Sequence, residues 1–241
     1  IVEYLYHYLL VLPAMAAAPS ISKVLILGGG DGLAAREILK YSNVQKIVLV
    51  DLDKGMTDLF KTNEILRKHN NNALNNKKVT VVNEDAFIWA KNNREQFDVI
   101  IIDFPDPSNY SLGKLYSSFF YKTLHQSMNK NTVVTVQSTS PYFAPKSFWC
   151  IHKTIEDTYA NILPYHVYVP SFGEWGFSIF SQNPAIHLNK VNRKLDNLRF
   201  YKYDLNNYTD FPDDMKAQNL DINRLDNQAL VRYFDEEWGK I

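Results

Sequence analysis

Apolar residues in this chain fall into short uninterrupted runs rather than alternating ones. The runs "KVLILGG" (Lys23 to Gly29), "KIVLVDLD" (Lys46 to Asp53), "VTVVNEDA" (Val79 to Ala86) and "DVIIIDFPDP" (Asp98 to Pro107) are rich in Val and Ile and end in glycines or acids. Continuous apolarity predicts burial on both faces, as in the central strands of a parallel sheet covered by helices. Between the runs lie segments of helical character, Leu33 to Lys40, Gly55 to His69, Phe87 to Asn93 and Ser117 to Met128. "TVVTVQSTS" (Thr132 to Ser140) supplies a fifth strand and Lys146 to Tyr159 a further helix. "HVYVPSFGEWGFSIFSQ" (His166 to Gln182) reads as two strands about a bend. Strand alternating with helix predicts a doubly wound, Rossmann-like α/β fold, its mostly parallel sheet closed by an antiparallel edge hairpin.

The ends of the chain read differently. "IVEYLYHYLLVLPAMAAA" is too short in its apolar part to span a bilayer, is interrupted by His7 and Pro13, and lacks the basic start of a signal peptide. It predicts a buried helix. The Asn-rich "HNNNALNNKK" is expected to be a loop. From about Asn183 the pattern weakens until a final short helix, "NQALVRYFDEEW". The expected division is a remnant of an N-terminal region over 1–20, a catalytic domain over 21–185, and a C-terminal extension over 186–241 packed on the same domain.

Composition narrows the function classes. Lys plus Arg and Asp plus Glu are equal at 26 each, so no net field favours nucleic acid or an anionic membrane surface. The single cysteine, Cys150, excludes an internal disulfide and a cysteine-based zinc site. The six histidines show no metal-ligand spacing, and no metal is expected. These features fit a cytoplasmic domain that makes no membrane contact of its own.

Chemistry gathers at the strand ends. Gly28, Gly29 and Gly30 follow the first strand and, with Gly32, open a helix, where bare backbone N–H groups receive a nucleotide-like ligand. The dinucleotide fingerprint would place a small residue at position 33, where Leu33 stands, so the loop suits a sulfonium nucleoside better than NAD. Asp51, about 20 residues on, is placed to accept hydrogen bonds from both ribose hydroxyls. Asp85 ends the third strand and is expected to meet an adenine amino group or to cap the helix that follows. Asp31 lies inside the glycine loop. It would repel the carboxylate of S-adenosylmethionine but would pair with the bare aminopropyl ammonium of the decarboxylated form. Its structural alternative is to stabilise the start of the next helix. "DFPDP" adds Asp103 and Asp106 on a proline-stiffened turn. With an alkylammonium pKa of ~10.4, an amine nucleophile is mostly protonated at neutral pH, and a carboxylate base offsets part of that penalty.

These motifs resemble those of the spermidine synthases, or polyamine aminopropyltransferases. The resemblance runs through "EYLYHYLL", "KVLILGGGDGLAAREILKY", "VDLD", "NEDAF", "FDVIIIDFPDP", "LYSSFFYKTL" and "VPSFGEWGF", and so covers most of the chain. It implies a class I methyltransferase-like fold and transfer of an aminopropyl group from decarboxylated S-adenosylmethionine, as co-substrate, to putrescine or a related amine. By the same resemblance Asp103 is the base, Asp106 binds the acceptor, Tyr6 assists the acceptor amine and His7 contacts the donor. Asp31 holds the donor ammonium, Asp51 the ribose, and Asp85 with Ala86 the adenine. Phe172 stands beside the attacking nitrogen; from the residues themselves, Glu174 is a candidate extra anion for the acceptor or else a surface turn, and Trp175, Tyr142 and Phe143 are candidate walls of a methylene channel or else simply core. Two departures stand out: Phe172 takes the place of a tyrosine hydroxyl, and Tyr8 that of a glutamate. The likeness is greatest to a bacterial branch with a multipass membrane region ahead of the synthase domain. It implies a homodimeric full-length protein in the inner membrane and an upstream region before Ile1. Two other readings stay open from the residues alone: a methyltransferase using intact S-adenosylmethionine, and a non-catalytic nucleoside- or polyamine-binding domain of a membrane protein.

Overall fold

The computed structural model describes residues 3–199 and 201–239; Ile1, where the N-terminal segment starts, and Ile241, where the expected C-terminal extension ends, lie outside them. In chain order the elements are α1 (Glu3–Ala17), β1 (Lys23–Gly28), α2 (Leu33–Ile38), β2 (Lys46–Val50), α3 (Lys54–Thr62), α4 (Glu64–His69), β3 (Val79–Val82), α5 (Ala86–Asn92) and β4 (Phe97–Asp103). Then come α6 (Tyr110–Gly113), α7 (Ser118–Leu124), β5 (Met128–Gln137), α8 (Pro145–Glu156), β6 (Asn161–Val169), β7 (Gly173–Ser181) and α9 (Ala229–Trp238). The seven strands form one sheet in the order β3-β2-β1-β4-β5-β7-β6. β1 to β5 are mutually parallel, whereas β7 runs antiparallel to both β5 and β6. The α/β fold with its antiparallel edge pair is therefore the one expected.

Alternation across the pleat divides the core in two. Val24, Ile26, Val99 and Ile101 face α1 and α2, while Leu25, Leu27, Ile100 and Ile102 face the layer of α5, α7 and α8. Both sets are fully buried, which is why the central strands read as unbroken apolar runs. β3 departs from that expectation: it is an edge strand, only partly buried, with Thr80 exposed. β6 begins five residues before the expected His166, at Asn161, because an edge strand tolerates the polar and proline residues Asn161 and Pro164. The expected helix over 55–69 is two helices, since Asn63 takes an extended conformation and caps α4 by accepting from the Ile65 and Leu66 N–H groups.

α1 is the predicted buried helix, with every residue from Leu9 to Ala17 buried. Pro13 has no N–H to give the Leu9 carbonyl. The Tyr165 hydroxyl of β6 donates to that oxygen instead, at 2.6 Å. The carbonyls at and just past the end of the helix are held by the C-terminal segment: Asn192 donates to Ala17, and the Arg193 guanidinium donates to Met15, Ala18 and Pro19. Among the described residues no helix is long and apolar enough to cross a membrane.

Candidate functional site

The carboxyl ends of β1, β2, β3 and β4 point to one rim of the sheet, the place where parallel α/β sheets bind ligands. Gly28 on β1 lies opposite Asp103 on β4. A Cβ at Gly28 would sit 2.2 Å from the Asp103 carbonyl oxygen, and its φ of +83° is left-handed, so glycine alone brings the two strand ends this close. The Gly30 N–H donates to Asp51 Oδ2 at 2.9 Å, while the Asp53 N–H donates to Oδ1 at 2.8 Å. Burial raises the Asp51 pKa even so, with those two N–H groups opposing it.

Two adjoining cavities open at this rim and share Asp51, Asp53, Phe104 and Pro105 as walls. The first, about 370 Å³, is mainly apolar and is lined by Ala86, Leu112 and Leu115, together with the paired Asp85 and Lys114. The second, about 500 Å³, is lined by six carboxylates, Glu3, Asp31, Asp51, Asp53, Asp103 and Asp106, and by no Lys or Arg. Tyr6, His7, Gln137, Phe172 and Trp175 line it as well. An apolar, nucleoside-sized compartment thus joins an anionic one.

Asp103 lines the anionic compartment. The Tyr6 hydroxyl donates to its Oδ1 at 2.6 Å. Burial pushes the Asp103 carboxyl up to about 6; His7 and the Tyr6 hydrogen bond oppose the shift, and the charges of Asp31 and Asp51 add to it. Burial likewise pushes Asp106 up to about 6, against hydrogen bonding from Gln137. Tyr6 itself is driven well above the ordinary phenol value by burial and then by Asp103, so its hydroxyl stays a donor. His7 is buried, which disfavours its cation, yet Glu3, Asp103 and Asp31 raise its pKa. Glu3 falls to about 2, chiefly through its hydrogen bond to His7, with Arg36 also lowering it against burial.

The Asp31 carboxylate accepts from the Leu33 N–H with Oδ1, at 2.9 Å, and so stabilises the start of α2 while lining the anionic cavity. Asp85 caps α5 through the Phe87 N–H, at 2.8 Å, and accepts from Lys114 Nζ at 2.6 Å. Burial opposes its charge, but Lys114 and Phe87 outweigh this and lower the pKa. Phe172 and Trp175 stand in ring contact with Tyr6, with centroids 5.8 and 6.4 Å away.

Two expectations fail. Side chains alternate along β7, so while Trp175 faces the cavity its neighbour Glu174 does not, and instead meets His166 Nδ1 at 2.8 Å. Tyr142 and Phe143 are exposed and line neither cavity; they contact each other, and Phe143 contacts Trp238. Tyr8 packs against Tyr4 and Tyr201, away from the cleft. Conversely, Glu3, Asp53, Gln137 and Lys114 belong to the site without having been singled out. Gln137 donates to the Phe104 carbonyl at 2.7 Å and to Asp106 at 3.3 Å, fixing the "DFPDP" turn, and the Thr139 N–H orients its amide from the other side. Among the described residues no group of three or more His, Cys, Asp or Glu is arranged to hold a metal.

The sequence model of the spermine/spermidine synthase domain matches residues 3–194. The polyamine aminopropyltransferase of Leptospira interrogans is 53% identical over 239 residues, which cover 99% of this chain and 48% of that protein. Polyamine aminopropyltransferase 2 of Ralstonia nicotianae is 46% identical, over 99% of this chain and 47% of its own length. The chain thus spans about half the length of these relatives. Among solved structures, a spermidine synthase crystallised with the transition-state analogue AdoDATO has a TM-score of 0.75 at 22% identity. The match covers 99% of this chain and 76% of that one. The spermidine synthase of Thermotoga maritima has a TM-score of 0.73 at 21% identity and the same coverages. These two show likeness of fold.

Proposed function

The chain belongs to the spermine/spermidine synthase family, and from that premise we propose that its cleft transfers the aminopropyl group of decarboxylated S-adenosylmethionine to a diamine such as putrescine. The observation that carries this reading is the compartment of six carboxylates joined to an apolar, nucleoside-sized one. A donor with an ammonium tail, a sulfonium and a neutral nucleoside matches both halves. The adenine enters the apolar compartment beside Asp85 and Ala86, the ribose meets Asp51, and the tail ammonium pairs with Asp31. S-adenosylmethionine would bring a carboxylate against the same anions.

In the reaction the acceptor nitrogen forms a bond to the carbon beside the sulfur. The C–S bond breaks, its electron pair returns to sulfur, and neutral methylthioadenosine leaves. The attacking nitrogen gives up one proton to Asp103. A carboxyl with a pKa of about 6 is largely ionised at neutral pH yet is a stronger base than an ordinary aspartate. Tyr6 holds that carboxylate in place, and Asp106 anchors the cationic acceptor. Phe172 offers no hydroxyl to the attacking nitrogen and contributes an apolar face beside Tyr6 and Trp175. The chemistry is orientation and charge placement around a leaving group that the sulfonium has already activated.

The test is calorimetry with both donors followed by product analysis. The expected result is preference for decarboxylated S-adenosylmethionine and, with a panel of amines, release of methylthioadenosine. Tighter binding of the carboxylated donor, or methyl transfer from it, would overturn the assignment.

A further inference from the structure

The segment 107–117 walls the nucleoside compartment with Ser111, Leu112, Lys114 and Leu115. It is held from the outside by the C-terminal extension, beyond the residues 3–194 that the family model matches. Asn223 is fully buried and has both main-chain and both side-chain polar groups engaged. Its Nδ2 donates to the Gly113 carbonyl at 2.9 Å, and its carbonyl accepts from the Ser118 N–H at 2.9 Å. Its own N–H donates to Thr154 Oγ1 on α8 at 2.9 Å, and its Oδ1 accepts from the Leu230 N–H on α9 at 3.2 Å. One residue thus ties the wall to two helices.

The fit at Gly113 is close. A Cβ there would lie 2.4 Å from Val231 Cγ2 and 2.8 Å from Gln228 Oε1, so the wall lies flush against the start of α9. The next residue, Lys114, reaches the other side of the compartment: its Nζ meets Asp85 Oδ2 at 2.6 Å and lies 5.2 Å from the centre of the Phe87 ring. The wall is therefore latched inward at Lys114 and braced outward at Gly113, one residue apart.

We propose that Asn223 is a positioning residue for donor binding, acting through Gly113 and Lys114 to set the width of the nucleoside compartment, while the acidic compartment works independently of it. The proposal rests on the nucleoside reading of that compartment given above. Losing a buried hydrogen bond that holds the wall costs enough to weaken the donor about tenfold.

The experiment compares the full-length protein with Asn223→Ala, Gly113→Ala and Met215→Ala, the last a substitution in the same extension at a residue packed on Phe148 and away from the wall. Steady-state kinetics with varied donor and varied amine, titration with methylthioadenosine, and hydrogen exchange of residues 107–117 are measured on each. The expected result is a donor KM and a methylthioadenosine Kd raised about tenfold for Asn223→Ala and Gly113→Ala, with amine KM and kcat near wild type and faster exchange in 107–117. Met215→Ala is expected to lower stability without this pattern. An unchanged donor KM in both wall variants, or equal losses for donor and amine, would overturn the brace. If Asn223→Ala does not fold, Gly113→Ala decides. If the wild type binds no methylthioadenosine, the function reading fails, and exchange in 107–117 still reports whether the brace exists as a structural device.

Discussion

Asp103 combines three properties that suit the proposed base for an amine: a place in the wall of the anionic compartment, a hydrogen bond from Tyr6, and a carboxyl pushed up to about 6. Asp103→Asn keeps the shape and the hydrogen-bond distance but accepts no proton. The expected loss in kcat is on the order of 10²–10⁴-fold, with donor binding by calorimetry retained. Turnover equal to wild type would remove the base assignment. The pH–rate profile follows from the same value. Only the ionised carboxylate takes a proton, so kcat is expected to fall as pH drops through about 6, and this limb is expected to vanish in the residual activity of the asparagine variant. Asp103 and Asp106 were visible in the sequence because both sit at the end of an apolar strand. Their partners were not. Gln137 and Lys114 are separated from Asp106 and Asp85 by 31 and 29 residues, and no local pattern marks a side chain whose task is to hold another. Glu174 was misplaced for the opposite reason: its sequence neighbour Trp175 does reach the cleft, but adjacent residues on a strand face opposite ways.

At the level of elements, continuous apolar runs disclosed β1, β2 and β4, which lie in the middle of the sheet with both faces covered. The same signal could not say that β3 is an edge, and it missed the first half of β6, where Asn161 and Pro164 are compatible with a strand only because no further strand pairs beyond it. α1 shows how a local defect is repaired at long range. Pro13 leaves the Leu9 carbonyl without its helical partner, and Tyr165, 156 residues away, supplies the donor. Tyr165→Phe removes that donor from a fully buried oxygen. The expected cost is about 1–3 kcal/mol of stability, read as a lower denaturant midpoint at unchanged m-value. Because the same helix carries Tyr6 and His7 into the cleft, the substitution is also expected to loosen the Tyr6 contact with Asp103. A variant as stable as wild type would show that water or a shifted helix satisfies the carbonyl.

At the scale of the whole molecule, the anionic compartment carries a cost in stability, which the proposed binding of a cationic amine would offset. Asp106 has an ordinary value of 3.8 that burial raises to about 6 in the folded chain. The fold then holds the proton more tightly than the unfolded chain does. This favourable contribution is fully present below pH 3.8 and is lost as pH rises through about 6. Above that, the ionised group is a cost, so Asp106→Asn is expected to stabilise the protein by roughly 2–3 kcal/mol at pH 8 and to change little at pH 3.5. Thermal unfolding at the two pH values checks this, and an equal shift at both would rule out the titration as its cause. A bound diamine is expected to offset the same cost in the wild type, raising its melting temperature more at pH 8 than at pH 5.

The six carboxylates of that compartment also bear on how a catalytic cycle ends. Under the aminopropyl transfer proposed above, the charge they would face beforehand is divided between two molecules, a dicationic donor and a dicationic amine. Afterwards one proton has left, methylthioadenosine is neutral, and the remaining three positive charges reside on a single flexible chain. The nucleoside has lost its electrostatic hold, whereas the elongated amine has gained one. On that proposal product departure is expected to be ordered by charge, with the thioether free to leave early and the polyamine last. Its escape is expected to quicken as counter-ions screen the site. Moderate salt should then raise kcat while it raises the KM of the amine, and a kcat indifferent to salt would place the slow step elsewhere.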